Sequence, residues 1–401
     1  MSQKPRIVFV DDEVNILNGI RRSLRGMRTS WDMEFFTSGQ AALDGLSKTP
    51  AEVVVSDMRM PEMDGAQLLS QVKDRWPQTV RFILSGFSNE EAILRTIGPS
   101  HQYLAKPCES DTLISAIKRS LNVRKLLGDK AMSQIIDKID AIPVLSAHQL
   151  KIIELINQEQ TSIREIGDLV AEDIALSASL LKLTNSAYFG MPTTITDPRR
   201  AVSLLGFETV QAVVLLAIVN TQIKTTEHTE HDIHQINVRS LEISQMANRI
   251  ATAEKLPKEE CVEIACIGIL MHVGSLLLLS QFSSAFARVT AYINKHQSDI
   301  CSAERAVFKT DHGAVGAYLL GLWGFNDNIV DSVFHHHEPS KSSTSVSILK
   351  CVHAAQYLGK RIDTDDPEAC EGLLDNEFVA RAELRPKLEE WATLCQSVIK
   401  P

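Results

Sequence analysis

The chain has 401 residues, 44% of them hydrophobic and 23% charged, which predicts a globular protein of two or three domains. Residues 1–125 contain 17 Lys and Arg and 15 Asp and Glu, and residues 126–401 contain 24 Lys and Arg and 35 Asp and Glu. The second part of the chain is therefore acidic and lacks the basic stripe with which proteins bind nucleic acid. The longest apolar stretches, Ala212–Val219 and Gly268–Leu279, are shorter than the roughly 20 residues that cross a bilayer, and Met1–Val10 does not resemble a signal peptide, so we expect a cytoplasmic location.

The first 125 residues alternate short apolar runs with helical patterns. The runs predict strands at Arg6–Val10, Asp32–Thr37, Val53–Ser56, Arg81–Leu84 and Gln102–Leu104. Apolar residues at helical spacing predict helices at Val14–Leu24, Gln40–Leu46, Gly65–Trp76, Glu90–Ile97 and Glu109–Leu121. This alternation is typical of a doubly wound parallel α/β sheet, which binds ligands at the carboxyl ends of its strands.

The rest of the chain is predicted to be helical. Apolar spacing continues from Thr112 to Ile139 apart from Gly128, so residues 125–140 are interpreted as a helical linker, with a solvated linker as the alternative. We place an all-α domain at 141–360 and a helical extension at 361–401. The helices of the all-α domain are predicted at Leu150–Asn157, Ile163–Val170, Ile174–Leu183, Val210–Val219, Val238–Ala251, Val262–Leu279, Phe282–Lys295, Val315–Leu322, Ile329–Phe334 and Val346–Leu358. Its loops are predicted at Gly190–Arg199 and Pro339–Ser345.

Three carboxylates are predicted to meet at one edge of the sheet. Asp11 and Asp12 follow the first strand, and Asp57 ends the third. Carboxylates so close together repel one another, and a hard cation such as Mg²⁺ relieves the repulsion while leaving positions open for phosphate oxygens. Asp57 can then act as the nucleophile that accepts a phosphoryl group, with Lys106 neutralising charge and Ser85 offering a hydroxyl.

These residues resemble the receiver domain of two-component response regulators, which has a flavodoxin-like fold. The resemblance covers about residues 4–124 and rests on Asp11-Asp12, Asp57, Met60-Pro61-Glu62-Met63-Asp64-Gly65, Ser85-Gly86, Tyr103 and Lys106-Pro107. It implies a domain at 1–124 that a sensor histidine kinase phosphorylates on Asp57. It also implies that Asp12, Asp57 and the Arg59 carbonyl bind Mg²⁺ directly, that Asp11 acts largely through water, and that Ser85 and Tyr103 form the switch.

Residues 135–360 resemble the HDOD output domain, a helical relative of the metal-dependent HD phosphohydrolases. The likeness rests on Ile142-Pro143, Asp173-Ile174-Ala175-Leu176, the segment from Leu180 to Gly190, a Leu-Leu-Gly turn in the segment from Ala201 to Gly206, Gly268-Ile269-Leu270-Met271-His272, the segment from His312 to Leu320, and His336-His337-Glu338-Pro339.

The resemblance also implies that the hydrolase metal site is degenerate. The enzymes need a histidine, a His-Asp pair and a distant aspartate to hold a cation that activates water. Here the pair is His272-Val273, Arg239 stands where the first histidine belongs, and Ala355 stands where the aspartate belongs. We therefore expect no enzyme activity and no metal in this domain.

Three consecutive histidines leave a second possibility open. His335, His336 and His337 would join His272 and His312 in a metal site, but adjacent residues on a helix point about 100° apart and cannot all converge. The seven cysteines show no CxxC spacing, so they add no zinc site.

Two functions follow from these patterns. In the first, phosphorylation switches a catalytically inactive HDOD domain that signals by binding another protein. An enzyme of cyclic-di-GMP metabolism is one candidate partner, and a homodimer is a further candidate. In the alternative, the domain is a metal-dependent phosphodiesterase acting on a nucleotide or cyclic dinucleotide.

Overall fold

The computed structural model describes residues 4–85, 102–106, 108–127, 149, 151–152, 155, 161–184, 195–222, 227–322, 325–362 and 368–399. The chain divides into two compact units, one formed by Met1–Leu150 with Tyr318–Phe325 and the other by Lys151–Ala317 with Asn326–Pro401. We call them the sheet unit and the helical unit. The helix predicted at Glu90–Ile97, residues 128–140 of the predicted linker and most of the helix predicted at Leu150–Asn157 lie outside the described residues.

The sheet unit contains the predicted doubly wound parallel sheet. Its strands are β1 (Arg6–Val10), β2 (Asp32–Phe36), β3 (Val53–Asp57), β4 (Val80–Ser85) and β5 (Gln102–Ala105), in the order β2-β1-β3-β4-β5 with all neighbours parallel. The helices described here are α1 (Val14–Ser23), α2 (Gly39–Lys48), α3 (Gly65–Arg75) and α4 (Ser110–Leu127), with a 3₁₀ segment at Leu24–Thr29.

The apolar strands explain why this sheet forms. Every residue of β1 and β3 is buried, as expected for central strands of a parallel sheet that is covered on both faces. Helix α3 begins with a capping box: the Asp64 carboxylate accepts the Gln67 amide N–H at 2.8 Å, and the Gln67 side chain accepts the Asp64 N–H at 3.1 Å. This cap fixes the first residue of α3, Gly65, directly behind the end of β3.

The described residues of the helical unit form only helices, as predicted. Its described helices are α5 (Ile163–Glu172), α6 (Ile174–Thr184), α7 (Pro198–Gln222), α8 (Glu227–Ala253), α9 (Lys258–Leu270), α10 (Val273–Gln281), α11 (Ser283–His296), α12 (Ile300–Phe308), α13 (His312–Leu322), α14 (Asp327–His335), α15 (Val346–Ile362), α16 (Asn376–Arg381) and α17 (Leu388–Ile399). The division assigns the last residues of α13, from Tyr318 on, to the sheet unit. Shorter 3₁₀ segments occur at Pro339–Lys341, Glu368–Leu373 and Arg385–Lys387. Helix α17, in the predicted extension, packs against α8 and α15 and buries Trp391 completely.

Two sequence predictions in this unit were wrong in detail. The Leu-Leu-Gly turn ending at Gly206 lies inside the long helix α7, because a single glycine costs a helix only about 1 kcal/mol and apolar packing outweighs that cost. The helix predicted at Val262–Leu279 is broken at His272, whose backbone (φ −102°, ψ 12°) leaves the helical region, so α9 and α10 are separate helices.

The apolar segment that contains α9 and α10 is also longer than the stretch Gly268–Leu279 identified from the sequence. Lys258–Gln281, 24 residues long with a mean hydropathy of 2.2 in its most apolar window, could cross a membrane by length and composition alone. However, 78% of that window is buried inside the protein, as is typical of helices that form a hydrophobic core.

Candidate functional site

Two carboxylates and a lysine meet at the carboxyl edge of the sheet. Asp11 follows β1, Asp57 ends β3 and Lys106 follows β5. The Lys106 ammonium lies 2.8 Å from Asp11 Oδ2 and also binds Asp57 Oδ1. The other oxygen of each carboxylate accepts a backbone N–H, from Glu13 to Asp11 at 2.9 Å and from Arg59 to Asp57 at 2.7 Å. Both carboxylates are therefore oriented by the main chain and share one cation.

The charge at this edge does not balance. Asp11 and Asp57 are only 2% and 8% exposed, so their charges are poorly screened by water. Burial lowers the pKa of Lys106, but hydrogen bonds to Asp11 and Asp57 outweigh it and raise the pKa overall. The lysine is thus protonated at neutral pH, and two carboxylates against one ammonium leave a negative charge that attracts a cation or an electrophile.

Gly65 allows the chain to pass close behind Asp57. Its N–H donates to the Met58 carbonyl at 2.9 Å, and a Cβ at this position would lie 2.2 Å from the Asp57 carbonyl oxygen. A side chain would therefore displace the main chain that carries Asp57.

The structure brings together only part of the predicted site. Asp12 is exposed at the end of β1, next to Asp11. Arg59 contributes its N–H to Asp57, and the predicted role of its carbonyl remains a prediction. Ser85 is the last residue of β4, one residue beyond the predicted strand, and pairs with Ala105, whereas Tyr103 lies within the predicted fifth strand and pairs with Ile83. The side chains of Ser85 and Tyr103 are not among the described parts of the structure.

A second polar cluster lies in the helical unit. One ring nitrogen from each of His272, His312 and His336 lies within 4.8 Å of those of the other two. His312 Nε2 is 3.1 Å from His336 Nε2 and 3.1 Å from His337 Nε2. The glycine that follows Val273 permits this packing, because a Cβ on Gly274 would lie 2.0 Å from the His312 carbonyl oxygen.

The three adjacent histidines do not all converge, as predicted, but two of them do reach the cluster. Helix α14 ends at His335, and the chain turns so that His336 and His337 both reach His312. Only His335 remains on the helix, where its ring lies 3.8 Å from Asp331 one turn earlier.

Three residues, Val273, Ala355 and Arg239, are predicted to stand where the hydrolases have metal ligands. Val273 and Ala355 are fully buried and offer no ligand atom. Arg239 lies 3.4 Å from Glu242. Burial lowers the pKa of His272 well below its usual value, and the charges of other residues, Arg239 among them, lower it further.

Sequence reasoning missed three residues that orient the cluster. Glu304, on the unpredicted helix α12, accepts the His312 backbone N–H at 2.9 Å and binds its Nδ1 at 2.7 Å. Ser240 lies 3.0 Å from His272 Nδ1, and His353 Nδ1 lies 3.2 Å from the His336 carbonyl. Only α12 had a local signal, an Asp299 N-cap that accepts the Ser302 N–H at 2.9 Å.

Charge limits protonation in the cluster. Burial alone lowers the pKa of His312, but the Glu304 carboxylate outweighs it and raises the pKa. Burial and then the charge on His312 lower the pKa of His336 to about 3. The pKa of His337 is also lowered well below its usual value, by burial and then by His336 and His312. The three rings therefore hold one positive charge among them at most.

Known protein families match both units. The response regulator receiver domain matches residues 7–118, and the HDOD domain matches residues 142–339. The hydrogenase transcriptional regulatory protein HoxA of Cupriavidus necator is 33% identical over 136 residues, which cover 32% of this chain and only 27% of HoxA.

Two solved structures are similar to separate parts of the chain. The signal receiver domain of an HD domain-containing protein from Pseudomonas fluorescens Pf-5 is 27% identical, with a TM-score of 0.28, and covers 29% of this chain and 87% of its own. An HDOD domain protein of unknown function from Geobacter sulfurreducens is 20% identical, with a TM-score of 0.46, and covers 70% of this chain and 98% of its own. With the two family matches, the chain belongs to the two-component response regulators that carry a receiver domain followed by an HDOD domain.

Proposed function

We propose that the protein is a phosphorelay response regulator in which a sensor histidine kinase phosphorylates Asp57, and that phosphorylation controls a catalytically inactive HDOD domain. The observation that carries the proposal is the single ammonium of Lys106 bound to the two buried carboxylates of Asp11 and Asp57. The proposed ligand atoms are all oxygens, which suits Mg²⁺ held by Asp11, Asp12, Asp57 and the Arg59 carbonyl.

The chemistry needs little beyond positioning and charge. A carboxylate oxygen of Asp57 attacks the phosphorus of a kinase phosphohistidine, so that an O–P bond forms while the N–P bond breaks and its electron pair returns to the imidazole. Lys106 and the backbone N–H of Arg59 hold the carboxylate in place. Bound Mg²⁺ would supply positive charge to the phosphoryl oxygens.

The output is proposed to be protein binding. A hydrolase of this architecture needs the aspartate of its His-Asp pair and a second, distant aspartate as metal ligands, whereas this domain has buried Val273 and Ala355 at those positions. A downstream protein, for which an enzyme of cyclic-di-GMP metabolism is one candidate, or a second copy of the chain would then receive the signal.

Labelling with a small phosphodonor and Mg²⁺ tests the input. We expect stoichiometric acid-labile phosphate on the wild type and none on Asp57→Asn. The matched control is Asp44→Asn, which changes an exposed carboxylate of α2 and should label normally. Wild-type labelling of Asp57→Asn would show that the acceptor is assigned wrongly.

Because the histidine cluster resembles part of a hydrolase metal site, the phosphodiesterase alternative needs a test of its own. We expect no turnover of nucleotides or cyclic dinucleotides with Mg²⁺, Mn²⁺, Fe²⁺ or Ni²⁺. Metal-dependent hydrolysis that disappears in His272→Ala and His336→Ala variants would establish the alternative instead.

A further inference from the structure

The hydrogen-bond partners of three histidines determine which ring nitrogens are free. Glu304 binds His312 Nδ1 at 2.7 Å, and the Val333 carbonyl lies 2.7 Å from His336 Nδ1. Carboxylates and carbonyls accept hydrogen bonds, so both Nδ1 atoms carry protons. Ser240 donates its only hydroxyl proton to the Ile236 carbonyl at 2.9 Å, so it accepts the Nδ1 proton of His272 at 3.0 Å.

All three Nε2 atoms therefore carry lone pairs when the rings are neutral. Those of His312 and His336 face each other across 3.1 Å, where two lone pairs repel. Two nitrogens bound to one tetrahedral zinc at about 2.0–2.1 Å would be about 3.3 Å apart, close to the separation seen here. The spacing thus fits two ligands of one ion.

A buried carboxyl group lies directly behind the cluster. Glu304 is fully buried, and its Oε1 has no hydrogen-bond partner among the described residues. A histidine that binds a metal through one ring nitrogen usually donates the N–H of its other ring nitrogen to a carboxylate, a carbonyl or a hydroxyl. Here the three partners of the Nδ1 atoms are one of each kind.

The donor set selects the class of ion. Imidazole nitrogens suit Zn²⁺ and similar transition metals, whereas Mg²⁺ prefers oxygen ligands. His337 lies beside His312 and can supply a fourth nitrogen. The Cys301 thiol lies within 4.8 Å of ring nitrogens of His312 and His337, and burial raises its pKa, so a metal would have to displace its proton before the sulfur could bind.

We propose that His272, His312 and His336 bind one divalent transition metal of the Zn²⁺ class within the helical unit. The site goes beyond the proposed phosphorelay function, and it replaces the expectation of a metal-free domain because His336 and His337 both reach His312 without His335. Because Val273 is apolar, the metal lacks the adjacent carboxylate of the hydrolases and serves to fix helices α10, α13 and the end of α14.

Zinc titration of full-length, chelator-stripped protein tests the proposal. With Mg²⁺ in excess to occupy the receiver, calorimetry should show one Zn²⁺ per chain. His272→Gln and His336→Gln should lose this binding, and Glu304→Gln should weaken it about 10- to 100-fold. The matched control, His335→Gln, changes the neighbouring histidine outside the cluster and should bind as the wild type does.

Cobalt absorption decides the question even if a variant fails to fold. Wild-type protein loaded with Co²⁺ should show the intense visible bands of a tetrahedral nitrogen-ligated ion. Absence of those bands, or zinc binding that His336→Gln retains unchanged, would overturn the proposal and leave a shared proton between His312 and His336 as the charge in the cluster.

Discussion

The substitution Gly65→Ala should disturb the phosphoacceptor through its main chain. The added Cβ would lie 2.2 Å from the Asp57 carbonyl oxygen and 2.7 Å from Ile83 Cδ1, whereas ordinary contact begins at 3.4 Å. The Ile83 side chain can move, but the Asp57 oxygen belongs to a buried strand. The end of β3 or the start of α3 must therefore shift by about 1 Å, which is an overpacking defect of about 1–3 kcal/mol.

Amide hydrogen exchange of β3 and β4 in the full-length protein measures this cost. At about 1.4 kcal/mol for each factor of ten, we expect protection to fall about 5- to 150-fold. Phosphorylation by a small phosphodonor should also slow, because the Asp57 carboxylate moves relative to Lys106. Gly19→Ala is the control: Gly19 lies within α1 with no atom within 4 Å of a new Cβ, so alanine should stabilise that helix by about 1 kcal/mol.

Unchanged protection and unchanged phosphorylation in Gly65→Ala would refute this reasoning. They would mean that the end of β3 yields without cost, and that Asp57 is not held by the close approach of α3.

Two further predictions concern charge and pH. The pKa of Lys106 is raised in the folded state, so its contribution to stability is present below about pH 10.4 and is lost as the pH rises through the folded value. Lys106→Met should cost the sheet unit about 1–3 kcal/mol at neutral pH and remove this alkaline loss in urea unfolding; equal alkaline slopes would contradict the assignment. Burial raises the pKa of Glu254, but hydrogen bonds from Lys387 and Lys350 outweigh it and lower the pKa overall. Its stabilisation is therefore present above about pH 4.3 and is lost as the pH falls through the folded value. Glu254→Gln should destabilise the helical unit by about 1 kcal/mol at pH 7 but not in acid, and a penalty independent of pH would contradict the ion pair.

The sheet could be predicted because its local patterns agree with its packing. Continuous apolar runs at β1 and β3 are what a strand buried on both faces requires, and the strand predicted at Arg6–Val10 is confirmed residue for residue. The long helices were harder to delimit. Helix α7 begins at Pro198, where a proline is tolerated in a first turn, yet the sequence placed that residue in a loop.

The candidate functional residues likewise fall into a group that could be predicted from the sequence and a group that could not. Asp11, Asp57 and Lys106 were predictable because parallel strands bring their carboxyl ends to one edge. The histidines of the second cluster were named from the sequence, but which of them converge could not be predicted, because that depends on α14 ending at His335 and on Glu304, whose contact with His312 is tertiary. No periodicity in the sequence records either feature.

Hydrogen exchange with beryllofluoride tests most directly whether Asp57 controls the helical unit. Beryllofluoride with Mg²⁺ mimics the phosphoryl group, and coupling between sites is typically about 1–3 kcal/mol, enough to change local protection several-fold. We predict changed protection in the segment from Ser85 to Tyr103 and also in the segment from Thr112 to Ile139 or in the helical unit, with no change in Asp57→Asn. Changes confined to the receiver, with partner binding and dimerisation equally unaffected, would contradict the account.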